Sequence, residues 1–138
     1  MKKIVSTTEA PAAIGPYSQG VRIGSTIFFS GQIPLDPKTG QMVSGGIDAQ
    51  TRRVMENITG LLKSENLGFE NIVKTTIFLA DMNDFQTVNE IYGSYFKSAP
   101  PARSTVQVAG LPKAARVEIE VIATANGNGG KVAADTSG

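Results

Sequence analysis

Between Val21 and Gly31 the apolar positions fall in two short β-rich runs, Val21-Arg22-Ile23 and Thr26-Ile27-Phe28-Phe29-Ser30. Gly24-Ser25 separates them, so the pattern predicts two strands joined by a two-residue turn. Pro34, Pro37 and Gly40 then predict an irregular connection. Asp36-Pro37-Lys38-Thr39-Gly40 reads as a turn and not as a phosphate loop, because it lacks a glycine-rich strand-to-helix context. From Ile47 to Leu67 the period lengthens. Ile47, Thr51, Val54, Met55, Ile58, Leu61 and Leu62 share one helical face, with Arg52, Arg53, Glu56, Lys63 and Glu65 on the wet side. Gly68 is the predicted stop. Ile72 to Leu79 is rich in β-branched and aromatic residues, which predicts a strand.

Asn83-Asp84-Phe85-Gln86 reads as a capping box, with Asn83 at the N-cap and Gln86 three residues on. The helix it opens carries Phe85, Val88, Tyr92, Tyr95 and Phe96 on one stripe and is predicted to run until Pro100-Pro101. Ser104–Val108 and Arg116–Ala123 predict two closing strands, joined through Gly110-Leu111-Pro112, and Lys3-Ile4-Val5 a further short one. Helices set between strands imply an α+β domain, one sheet with two helices on one face. Along the last strand Val117, Ile119, Val121 and Ala123 point one way, Glu118, Glu120 and Ile122 the other. The second face is mixed. It reads either as a contact between copies of the chain or as an ordinary solvated sheet face.

At 138 residues the chain suits one domain, placed at residues 1–125, with a polar glycine-rich surface tail at 126–138. Thirteen basic against twelve acidic side chains, and no long basic run, leave nucleic acid outside the expected partners. No apolar run approaches a membrane span. Met1-Lys2-Lys3-Ile4-Val5 mimics the front of a signal peptide, but Ser6-Thr7-Thr8-Glu9 interrupts it, so a cytoplasmic protein is expected.

Histidine and cysteine are both absent. That removes histidine acid–base catalysis, cysteine nucleophiles and the usual histidine or cysteine metal sites. Carboxylates, arginine, hydroxyls and backbone groups remain. Arg103, after Pro101-Ala102 at the mouth of a strand, offers a planar fork for both oxygens of a carboxylate. Its alternative reading is a surface salt bridge. Glu118, between Val117 and Ile119, would have its pKa raised if sheltered and would then suit a general base toward water. Glu120 competes for that role, and both could instead pair with Arg22 or Arg116. Tyr17 follows the rigid Gly15-Pro16 turn, and either places its hydroxyl on a ligand or packs its ring. Ser30-Gly31-Gln32 ends a strand, where the Gly31 N–H could meet an oxyanion or carboxylate oxygen. Asn89 is a polar residue on the second helix's apolar stripe, read first as a structural hydrogen-bonder. Lys74 and Lys113 could form Schiff bases, though nothing marks either as desolvated.

Several stretches in one order resemble the RidA family, also called the YjgF/YER057c/UK114 family. They are Ala13-Ile14-Gly15-Pro16-Tyr17-Ser18-Gln19-Gly20, Ser30-Gly31-Gln32-Ile33-Pro34, Glu56-Asn57, Ile72-Val73-Lys74-Thr75-Thr76, Asp84-Phe85 with Val88-Asn89, Pro101-Ala102-Arg103-Ser104 and Val117-Glu118-Ile119-Glu120. The resemblance covers about residues 2–125. It implies a chorismate mutase-like fold, with a mainly antiparallel mixed sheet, assembled as a homotrimer around a central β-barrel with sites between subunits. It further implies hydrolytic deamination of reactive 2-enamino and 2-imino acids (2-aminoacrylate, 2-iminopropanoate, 2-iminobutanoate) to 2-oxo acids and ammonia, without metal or cofactor. By that resemblance Arg103 binds the substrate carboxylate, Glu118 manages the water and Tyr17 lines the pocket; Gly31, Thr105, Ser30 and Asn89 are the candidate substrate contacts beside them. Where many members have Cys-Val-Glu, this chain has Thr105-Val106-Gln107. Thr105 supplies the same backbone groups, and Gln107 removes a negative charge. The rival functions are a non-catalytic sensor of 2-oxo acids or amino acids, a chaperone-like protein and an endoribonuclease.

Overall fold

Among the described residues eight regular elements follow one another. They are β1 (Lys2–Val5), β2 (Gly20–Ile23), β3 (Thr26–Gln32), α1 (Ile47–Ser64), β4 (Ile72–Leu79), α2 (Phe85–Gly93), β5 (Ala102–Gln107) and β6 (Val117–Thr124). Short 3-10 turns lie at Phe69–Asn71, Met82–Asp84 and Pro112–Ala114. The structure is a computed structural model and describes residues 1–125, so the predicted tail at 126–138 lies outside the described residues.

The strands form one six-stranded sheet in the order β1-β2-β3-β6-β4-β5. Every pairing is antiparallel except β4 with β5. The expected barrel is therefore corrected. The sheet is open, because β1 and β5 stand at opposite edges and closure would require them to pair.

Both helices pack on one face of the sheet. The alternation of β6 sends Val117, Ile119, Val121 and Ala123 into the core beneath α1, where Val54, Ile58, Leu61 and Leu62 are also buried. Gly60 sits where α1 meets the Glu9 backbone, and a Cβ there would collide with the Glu9 carbonyl. The opposite face exposes Ile4, Ile23, Phe28 and Val106, so the mixed second face of the sequence is present.

Three helix ends differ from the sequence reading, and the first and last two strands are shifted by one or two residues. Helix α1 ends at Ser64 and not at Gly68. Asn66 takes the left-handed conformation (φ 61), and N–H groups of Asn66 and Leu67 bond the Lys63 and Leu62 carbonyls. That Schellman-type closure uses asparagine where glycine was expected. The capping box also fails. Asp81 caps the 3-10 turn at Met82–Asp84, its carboxylate accepting the Asn83 N–H at 2.9 Å, and at the N-cap of α2 stands Asp84, with no side-chain cap bond and its carboxylate committed to Arg116. Helix α2 stops at Gly93, ahead of the prolines. The Ser94 hydroxyl takes the Ile91 carbonyl at 2.6 Å, and Tyr95 and Phe96 leave the helix to pack on Phe69.

Candidate active site

The loop from Thr7 to Ser18 is irregular, and one buried side chain holds it. Gln19 accepts the Thr7 N–H at 2.7 Å, and its amide donates to the carbonyls of Thr7, Ala10 and Pro11. The Ser30 hydroxyl donates to the Ser18 carbonyl at 2.6 Å, tying the same loop to β3. Tyr17 thereby stands at the rim of a cavity of about 590 Å³, exposed, with its hydroxyl accepting the Ile14 N–H at 3.4 Å. Asn57, fully buried on α1, donates to the carbonyls of Ile33 and Leu35 and so fixes the wall beyond Gly31.

Glu118 enters that cavity from β6. The β3–β6 register shifts between Phe29 and Gln32, and Gly31 lies within the shift. A Cβ on Gly31 would overlap the Glu118 carboxylate, so glycine is what lets the acid occupy this place. Among the described residues the carboxylate has no hydrogen-bond or ion-pair partner. Burial pushes its pKa above the usual glutamate value, and the charge of Glu120 adds to the rise. Neither alternative arginine reaches it. Arg22 pairs with Glu65 at 3.1 Å, and Arg116 with Asp84 at 2.9 Å. Lys113 lines the rim in a left-handed conformation (φ 56).

Arg103 lies elsewhere. It is in register with Thr75, on the helix-covered face, whereas Glu118 is in register with Phe78, on the other face. Its guanidinium donates to Asn89 Oδ1 at 2.6 Å and rests 5.2 Å from the Tyr92 ring and 5.6 Å from the Phe85 ring. Arg103 is thus no loose surface arginine. Thr105 stands two residues on, with its Oγ1 buried and unpartnered among the described residues. The Val108 N–H donates to the Leu79 carbonyl, so the alternation of a parallel ladder turns the Thr105 backbone groups to the open sheet edge. Gln107 accepts the Met82 N–H at 2.6 Å, which spends its side chain on the turn before α2. Among the described residues the Lys74 ammonium reaches only the Thr76 hydroxyl, at 3.4 Å.

The structure therefore groups Tyr17, Ser30, Gly31 and Glu118 around one cavity, and Arg103, Asn89 and Thr105 around β5. It does not join the two groups within one chain. Sequence reading missed Gln19 as the loop clamp and Phe85 with Tyr92 as the platform under Arg103. The spacing of Phe85, Asn89 and Tyr92, four and then three residues, was a usable signal of one helix face. Among the described residues no three His, Cys, Asp or Glu side chains gather as a metal site, and no helix is long and apolar enough to cross a membrane.

A family model described as Endoribonuclease L-PSP matches residues 7–125. The 2-iminobutanoate/2-iminopropanoate deaminase of Mus musculus is 54% identical over 123 residues, covering 89% of this chain and 91% of the mouse protein. The chain belongs to the RidA family. Two solved structures resemble this RidA chain closely. A putative endoribonuclease from Thermotoga maritima superposes with a TM-score of 0.87 at 49% identity, over 90% of this chain and 98% of that one. TdcF of E. coli, solved with bound serine, gives a TM-score of 0.84 at 46% identity, over 88% and 98%. The chain thus holds two separate clusters. One is a raised-pKa carboxylate in a cavity, and the other is a braced guanidinium beside a free strand edge.

Proposed function

We propose that this chain is a 2-iminobutanoate/2-iminopropanoate deaminase, an enzyme that hydrolyses the C=N bond of reactive 2-imino acids to give 2-oxo acids and ammonia. The observation that carries this reading is the half-buried, unpartnered Glu118 carboxylate beside Gly31 and Tyr17. It is a base with nothing else to do, in a cavity open to water. The identity to the mouse deaminase, and its extent, support the same reaction.

The chemistry follows from these groups. Arg103 takes the substrate carboxylate through paired charge-assisted hydrogen bonds, with backbone N–H groups at Gly31 and Thr105 completing the grip. The imine carbon, next to that carboxylate, is then fixed in place. Glu118 accepts a proton from water as the oxygen attacks that carbon and the C=N π bond opens onto nitrogen. Glu118 returns that proton to the nitrogen of the tetrahedral amino-alcohol and takes up the hydroxyl proton as the C=O bond forms and C–N breaks, releasing ammonia and the ketone. Enamine substrates tautomerise to the imine first. Tyr17 is assigned a hydroxyl donor role toward the bound acid. Ser30 acts mainly by holding the Tyr17 loop, and Asn89 by holding Arg103.

The separation of Arg103 from Glu118 within one chain supports sites completed between copies, in a homotrimer. The open edge at β5, carrying Arg103 and an exposed Val106, is the surface that would meet a neighbour's cavity. A mixing experiment tests both parts. Arg103→Ala and Glu118→Gln are each expected to lose turnover of 2-iminopropanoate generated in situ. When the two are dissociated and reassembled together, random pairing restores about one quarter of native activity. No recovery sinks the intersubunit site, and full activity in either single variant sinks that residue's role. The serine bound to TdcF favours a second reading, a metabolite sensor. Binding of serine or pyruvate without any acceleration of imine hydrolysis would select it.

A further inference from the structure

We propose that Tyr92 is the positioning residue for Arg103: its ring is the platform that holds the guanidinium in the orientation that receives a carboxylate. The proposal rests on the reading of Arg103 as the carboxylate clamp.

Phe85, Asn89 and Tyr92 stand at positions i, i+4 and i+7 of α2, so one helix face carries all three. That face meets the Arg103 side chain. Asn89 accepts one Nη1 hydrogen, and the two rings lie within cation–π distance of Cζ, Tyr92 the nearer at 5.2 Å. Among the described residues this is the only hydrogen bond of Arg103, so its Nε–Nη2 edge keeps two parallel donors for a carboxylate. The strand residue itself is exposed, whereas Tyr92 is 5% exposed. The fixed member of the pair is the tyrosine.

What fixes it is Thr75. The two hydroxyl oxygens are 2.7 Å apart, and Thr75 is 1% exposed. Thr75 is also the register partner of Arg103 across the β4–β5 pairing. The ring is thereby tied at one end to α2 and at the other to the strand beside Arg103, at the level of Arg103. An arginine on an exposed edge would otherwise sample many rotamers and pay for ordering when it grips its ligand. Burial raises the Tyr92 phenol above its usual pKa, against smaller lowering effects from Thr75 and Arg103, so the platform stays neutral.

The test replaces Tyr92 in the full chain with phenylalanine and with mono-, di- and trifluorinated phenylalanines. This series keeps the ring's shape while draining its negative face. The readouts are pyruvate affinity by titration, KM and kcat for 2-iminopropanoate, and the melting temperature. Along the series, measured against Tyr92→Phe, pyruvate binding should weaken progressively, by about three- to thirtyfold in all. KM should rise more than kcat falls, and the melting temperature should hold. Thr75→Val should weaken pyruvate binding by about twofold. A flat fluorination series, with Arg103→Ala still losing pyruvate, overturns the platform alone. Pyruvate affinity retained in Arg103→Ala overturns the clamp, and this proposal with it.

Discussion

The clusters at Arg103 and at Glu118 are built on opposite principles. At Arg103 every neighbour is favourable: an amide oxygen at 2.6 Å and two aromatic faces hold an exposed guanidinium. At Glu118 the neighbours are unfavourable. The carboxylate is half buried, has no partner, faces the charge of Glu120 and occupies space that only a glycine leaves open. A binding group gains from being held before its ligand arrives. A base gains from being left unsatisfied, because a partner that stabilised its charge would lower its pKa and its pull on a proton. On the proposed reading, arginine and glutamate on opposite faces of one sheet thus bear different costs for different tasks.

The largest effect that would sharpen this contrast is on turnover. Glu118→Gln should lower kcat for 2-iminopropanoate by about 10²- to 10⁴-fold, the usual worth of a positioned base, with little change in pyruvate affinity. If kcat survives, the water is activated elsewhere. Next comes Gly31→Ala. Its Cβ meets the Glu118 carboxylate, so the acid must move, and a loss of about tenfold or more in kcat/KM is expected while the melting temperature changes little.

A smaller effect is a shift in pH dependence. Activity needs Glu118 ionised, so its acid limb should lie above the usual glutamate range. Glu120→Gln removes the like charge and should move that limb toward lower pH. An unmoved limb would mean that burial alone sets it. The smallest effect concerns stability. Because the folded state raises the Glu118 pKa, its charged form costs stability above the folded pKa, and the cost vanishes once pH falls below the unfolded value. Glu118→Gln should therefore melt slightly above the native chain at neutral pH and converge with it in acid. Equal melting temperatures at both ends would remove the contrast with Arg103.

Much of the fold was legible. The hairpin at Gly24-Ser25, the buried face of α1, the limits of β4 and the two-sided alternation of β6 all follow from periodicity, which reports directly on which side chains leave water. Helix ends were less legible, since they are fixed by single hydrogen bonds. Asn66 in place of Gly68, Asp84 in place of Asn83 at the start of α2 and the Ser94 hydroxyl at its end each depend on which partner the surrounding chain brings near. The barrel was wrong for the chain itself, because strand order, and with it the separation of β1 from β5, is decided by pairing across long sequence distances.

The sequence by itself determined the chemistry available: no histidine or cysteine, two competing carboxylates, a forked arginine at a strand mouth, and motifs enough to place the chain in its family. Only the tertiary structure decided which groups meet. It spent Arg22 and Arg116 on Glu65 and Asp84, left Glu118 alone against Gly31, gave Arg103 a floor of Tyr92 and Phe85, and set Arg103 and Glu118 on opposite faces of one sheet. The physical reason is that residue type fixes what a group can do, whereas its pKa and reach depend on neighbours brought together from distant parts of the chain.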